Sequence, residues 1–180
     1  MTNEILILTK TRELLSYIAG FFDGEGSLGI YSSSKKFNDC CLRVQIKQNE
    51  SIEVCKIFKF LYENYEGFTS KTITYSGKTC LTYSSSGNNA CSFLRDIMEF
   101  SLIKKEQIRL AIEWQEGRKP PLRNIKGRIC PKPENEINRD IEYSNKIRLL
   151  KDTPLGEIYK PLTGNKSKRG CYNLTPSNHI

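Results

Sequence analysis

Apolar positions along this chain alternate between two rhythms. From Leu14 to Phe22 they recur at helical spacing, with Leu14, Leu15, Ile18, Phe21 and Phe22 on one face and Thr9 or Thr11 available as the N-cap. At residue 27 the rhythm becomes strict alternation. Leu28 and Ile30 oppose Ser27, Gly29 and Tyr31; after a polar, turn-like stretch at 33–39, Leu42, Val44 and Ile46 oppose Cys41, Arg43, Gln45 and Lys47. That pattern predicts a hairpin with one apolar face and one polar, partly basic face. Helical spacing returns over 51–65 through Ile52, Cys55, Phe58, Leu61 and Tyr62. A second hairpin, rich in Thr, Tyr and Ile, is expected over 68–75 and 79–84, turning at Ser76, Gly77 and Lys78. Asn88 or Asn89 then caps a helix carrying Phe93, Leu94, Ile97 and Met98, and a further helix over 104–115 carries Ile108, Ala111, Ile112 and Trp114. Phe58, Tyr62, Phe93 and Trp114 are core residues by this spacing.

The order is helix, hairpin, helix, hairpin, helix, helix. It predicts an α+β fold: an αββαββα core in which helices cover one face of an antiparallel four-stranded sheet and leave the other face polar. This core spans residues 1–117. Past it, Pro120, Pro121, Pro131 and Pro133 interrupt a basic linker, one more helix is expected over 133–151 with Ile137, Ile141, Ile147 and Leu150, and 153–180 has no usable period.

Charge sharpens this division. The 28 basic and 20 acidic side chains give +8, yet residues 1–116 hold 14 of each sign and residues 117–180 hold 14 basic against 6 acidic. A neutral body with a basic C-terminal extension points to a polyanion partner. The seven cysteines are odd in number and lack C-x-x-C spacing, which suits a reducing compartment, and the single histidine, His179, makes a zinc site unexpected. The apolar run at 5–8 is too short for a signal peptide or a membrane span.

Candidate chemistry lies in the first helix. Ala19, Gly20 and Gly24 lighten one side of it, so a second backbone can approach closely, and two acids, Asp23 and Glu25, stand at its C-terminal end. The helix dipole disfavours carboxylates there, and a bound divalent cation would compensate. The residues 18–26, IAGFFDGEG, resemble the LAGLIDADG signature of the homing endonucleases, and the order of elements resembles that family over roughly residues 10–117. The pattern is similar to the short, single-motif members encoded in organellar introns. The resemblance implies that Glu25 binds the catalytic metal and that Asp23 serves helix termination and contacts across paired helices. It also assigns Gln48 to ordering water near the scissile phosphate and Lys104 to steadying developing charge.

One motif gives one set of acids, so cutting both strands needs two active sites, or one site that turns over twice. Ala19, Gly20, Asp23 and Gly24 are the expected interface of a two-fold homodimer. Two glutamates ~6 Å apart would repel by about 3 kcal/mol at an effective dielectric of ~20. A divalent cation such as Mg2+, held by Glu25, the backbone carbonyl of Gly24, waters and phosphate oxygens, relieves that repulsion. The polar sheet face forms the expected saddle for double-stranded DNA. Its candidate contacts are Ser27, Gly29, Tyr31, Ser33 and Lys35 on the first strand, with Cys41, Arg43, Gln45 and Lys47 on the second. Ser70, Thr72, Thr74, Cys80 and Thr82 come from the second hairpin. Arg43 and Gln45 suit guanine and adenine edges. The expected activity is metal-dependent cleavage of a long, nearly palindromic DNA site. An RNA-splicing maturase acting on intron RNA and a non-cleaving DNA-binding protein are the alternatives. The expected location is an organelle, or a bacterial or phage cytoplasm, without membrane association or secretion.

Overall fold

A computed structural model describes residues 10–34, 39–120, 122–127 and 130–152. Helix α1 (Arg12–Glu25) begins on Thr11, whose Oγ1 accepts from the Leu14 amide at 3.2 Å. It runs into β1 (Gly26–Ser34), which pairs antiparallel with β2 (Asp39–Asn49). Helix α2 (Ile52–Tyr65) is capped by Ser51. Strands β3 (Phe68–Ile73) and β4 (Thr79–Ser86) form the second hairpin, followed by α3 (Gly87–Ile97) and α4 (Lys105–Glu116). The sheet order is β1-β2-β4-β3, all antiparallel. One α+β layer results, as the alternation predicts.

The core lies between the helices and the apolar side of the sheet. Ile18 and Phe22 of α1, Leu28 of β1, Leu42, Val44 and Ile46 of β2, Phe93 and Leu94 of α3, and Ile108 and Trp114 of α4 are all buried there. Phe22 meets Phe93 edge-on at 5.3 Å between ring centres. Helix α2 presents a different face from the one its spacing suggested. Val54, Ile57, Phe58, Phe60, Leu61 and Tyr65 are buried, whereas Ile52, Cys55 and Tyr62 face outward. Tyr62 is therefore not a core residue. Helix α3 starts at Gly87, so Asn88 and Asn89 lie inside it. Asn89 donates to Glu66 and Asn88 accepts from Gln115.

Helix α5 (Glu134–Asp152) packs against α4 and along the open edge of β1, so it is docked on the body. The buried Asp140 carboxylate accepts from Trp114 Nε1 at 2.9 Å and from Lys132 Nζ at 2.5 Å. Arg139 adds a bond to the Trp114 carbonyl. The inward residues are Ile137, Asp140, Tyr143, Ser144 and Ile147, while Ile141 and Leu150 are exposed. Covering the β1 edge removes a row of unpaired backbone groups from solvent.

Candidate active site and nucleic-acid interface

The end of α1 and the start of α4 satisfy each other's backbone. Asp23 Oδ1 accepts from Ser101 Oγ (2.6 Å) and the Lys104 amide (3.1 Å), while Oδ2 accepts from the Leu102 (2.7 Å) and Ile103 (3.0 Å) amides. A carboxylate thus sits at the positive end of α4, where the dipole favours it. Burial alone would raise the Asp23 pKa. The four donors outweigh it and hold the carboxyl below its ordinary value. In return, Lys104 Nζ donates to the Asp23 carbonyl at the negative end of α1. A lysine opening α4 is unfavourable read along its own helix. Its ammonium in fact serves the C-terminus of another. Desolvation pulls the half-buried Lys104 below the ordinary lysine pKa and Lys151 adds to that, while Asp23 and Glu25 oppose it.

This exchange fixes Glu25 as the free acid of the motif. It ends α1 exposed to solvent, next to the exposed Gly24. Gly26 turns the chain into β1. A Cβ there would stand 2.1 Å from the Phe22 ring and 2.6 Å from the Phe22 carbonyl, so only glycine fits. Gly20 and Gly24 differ: a Cβ on either would meet nothing within 4 Å in this chain. Their smallness is not required by the chain's own packing. Ala19 and Asp23, also expected at a subunit interface, are turned inward instead, Ala19 into the core and Asp23 onto α4. Among the described residues no three His, Cys, Asp or Glu converge on a metal position. At the end of α1 the chain offers the exposed Glu25 carboxylate beside backbone oxygens, an all-oxygen donor set open to water. Gln48 lies two residues beyond the Gly26–Ile46 pair, at the end of the sheet where α1 delivers Glu25. Its Oε1 accepts from the Asn49 amide at 2.7 Å, and it shares the strand parity of Val44 and Ile46, not that of the polar face.

The polar face is assembled by register. Ser27 pairs with Gln45, Gly29 with Arg43 and Tyr31 with Cys41; across β4, Gln45 faces Ser84 and Lys47 faces Thr82. Arg43, Gln45 and Lys47 are exposed in a row, and the Arg43 guanidinium lies 5.5 Å from the centre of the Tyr31 ring. Gln45 Nε2 donates to Ser84 Oγ at 3.3 Å. Ser70 and Thr72 join this face from β3. Several expected contacts hold other positions. Gly29 is buried beneath the Tyr31 ring, Cys80 and Thr82 are almost fully covered, and Cys41 is half-buried. Thr74 lies past β3 and folds into the turn, donating to the Lys78 carbonyl at 2.9 Å. For Ser33 only the backbone is described, and Lys35 lies outside the described residues. Asn49, Ser84 and Ser86 share the face and were missed. Ser84 keeps the parity of Cys80 and Thr82 inside the expected strand, and Ser86 lies two residues past its expected end at 84.

A body of this order, with its first helix ending on an acid at the edge of a four-stranded saddle, is the fold of the LAGLIDADG homing endonucleases, and this chain has that fold. I-CvuI bound to a target DNA in the presence of magnesium superposes over 79% of this chain and 85% of its own, with a TM-score of 0.55 at 16% identity. I-CvuI with its own target in calcium gives a TM-score of 0.56 at 14% identity, covering 79% of this chain and 84% of its own. An archaeal intron-encoded homing endonuclease complexed with DNA gives 0.54 at 16%, covering 77% and 84%. No protein-family model and no curated protein matches the sequence.

Proposed function

We propose that this chain is a site-specific DNA endonuclease of the homing type that works as a homodimer with Mg2+. The observation that supports it most is the division of labour at the end of α1. Asp23 and Lys104 are occupied with each other's helices, and Glu25 is left exposed beside two glycines whose smallness the protomer does not need. A second copy packed on the Gly20/Gly24 side of α1 brings a second Glu25 to the same axis, one acid for each DNA strand.

Glu25 and the Gly24 carbonyl would hold the cation. When bound, it supplies Lewis-acid polarisation of the scissile phosphate and a more acidic water. Lys104, fixed on the Asp23 carbonyl, places positive charge where negative charge develops on the phosphate. Gln48 orders solvent at the same end of the sheet. The saddle lies in the major groove, with Arg43 and Gln45 reading base edges. Nine residues of β1 extend ~30 Å, or about nine base steps. A dimer therefore reads a nearly palindromic site of roughly twenty base pairs. The basic stretch 118–132, with six basic and no acidic side chains, adds phosphate contacts. The odd number of cysteines and the lack of C-x-x-C spacing support a reducing location, an organelle or a bacterial or phage cytoplasm.

The test is Glu25→Gln. It should abolish Mg2+-dependent cutting and leave DNA binding in place, because the exposed carboxamide disturbs no internal bond. Intact cleavage by E25Q contradicts the assignment, and intron splicing by a wild-type chain that nicks no DNA replaces it with the maturase reading.

A further inference from the structure

Side chains of a strand stand roughly perpendicular to the sheet. The Tyr31 ring does not. It lies back along β1 over Gly29, so that a Cβ built on Gly29 would meet Cε2 and Cζ of the ring at 3.0 Å and its hydroxyl oxygen at 3.1 Å. Gly29 is outside the left-handed region that favours glycine, so its backbone would accept other residues. What the missing side chain supplies is a seat for the ring. Gly29 pairs across the strands with Arg43, and the seated ring therefore comes beside that side chain, 5.5 Å from ring centre to guanidinium. At that distance the face of an aromatic ring attracts a cation.

The way Arg43 is held decides what it can do. Arg95 and Arg109 commit N–H donors to glutamates. Arg43 bonds no carboxylate among the described residues, and the face of a ring takes none of its five N–H donors. The guanidinium is restrained while its fork stays open for the two acceptors on a guanine edge. A free arginine facing another base swings to a phosphate or to water. A restrained one stays opposite that base with donors unpaired, and the wrong base is penalised. We propose that Tyr31 is a positioning residue for sequence specificity: seated on Gly29, its ring fixes Arg43 for one guanine in each half-site, and it reads no base of its own. The inference rests on the DNA-binding reading for its ligand.

The test measures binding of the full chain, in EDTA, to the duplex that the wild type enriches from a randomised library and to each single-substituted version of it. Arg43→Ala marks the base pair that Arg43 reads. Tyr31→Leu keeps Gly29 covered and removes the aromatic face. It should lower the guanine preference at that base pair by roughly two- to fivefold and leave every other position as in the wild type. Tyr31→Phe should keep the wild-type profile. Gly29→Val fills the seat from beneath the ring, at a buried position, and should lower the preference at the same base pair. In the Arg43→Ala background neither Y31L nor G29V should change the profile further. A wild-type profile in Y31L or G29V, a loss spread evenly over the site, or a preference lost where Arg43→Ala loses none overturns the proposal. A wild-type chain that enriches no duplex overturns the DNA-binding reading and this inference with it.

Discussion

Replacing Asp23 by asparagine removes a charge from the place where two helix ends are joined. Of the two oxygens, Oδ2 holds the Leu102 and Ile103 amides, and Oδ1 holds the Ser101 hydroxyl and the Lys104 amide. The asparagine will put its NH2 at the Oδ1 position, since the Ser101 hydroxyl can turn round to accept. The Lys104 amide then has no acceptor, and the two bonds that remain lose their charge assistance. One unmade bond at a half-buried amide and weakening of two others cost together about 2–3 kcal/mol. For a chain of this size that is roughly 5–10 °C in melting temperature. The pH dependence gives the sign. The folded Asp23 pKa is depressed, so its contribution is complete above the ordinary value of 3.8 and is lost as pH falls through the folded value. Thermal melts of wild type and D23N in EDTA should differ fully at pH 7 and converge as pH falls through the depressed folded value. A D23N melt within 2 °C of wild type at pH 7, or a gap that does not shrink in acid, refutes the reasoning.

Three more outcomes follow from the same geometry. Gly20→Ala places a methyl in open space within the protomer, so on an isolated chain it should add about 0.5–1 kcal/mol through helix propensity. If α1 packs on a second copy, analytical ultracentrifugation should instead show the dimer weakened. Asp140→Ala strands the Trp114 indole N–H and the largely buried Lys132 ammonium, at a cost of about 3–5 kcal/mol. Trp114 is the only tryptophan, so a red-shifted emission of the native state should report α5 leaving α4. Arg43→Ala should lose about 1–3 kcal/mol of base discrimination. Arg43 lies four residues along β2 from Lys47, so binding to single-substituted duplexes should show the relaxed position ~13 Å, about four base steps, farther from the centre than the one Lys47 contacts.

The sheet and its polar face were legible because alternation is a local signal and the registers of β1 and β2 follow from it. Helix α2 was not, because apolar residues occur on both of its sides. Ile52, Cys55 and Tyr62 make as regular a stripe as Val54, Ile57, Phe58 and Leu61, and only the rest of the fold decides between them. The motif pointed to Glu25 and Gly24, and the resemblance in the order of elements pointed to Gln48 and Lys104. The work of Asp23 was hidden, because its partner Ser101 is 78 residues away and no local pattern marks it. Lys104 looked misplaced for a similar reason, since the carbonyl it serves belongs to α1. Helix α5 lacks a clean apolar period because its inner side is half polar. Asp140, Tyr143, Ser144 and Lys151 make contacts there that hydrophobic spacing does not register.

Selection of cleaved duplexes from a randomised library with Mg2+ tests the central claim most directly, that two α1 helices joined at Gly20 and Gly24 set two Glu25 carboxylates over DNA. The account predicts an enriched site of roughly twenty base pairs with near two-fold symmetry, cut on both strands about its centre. A site half that length without symmetry, or no cleaved molecules at all, would contradict it.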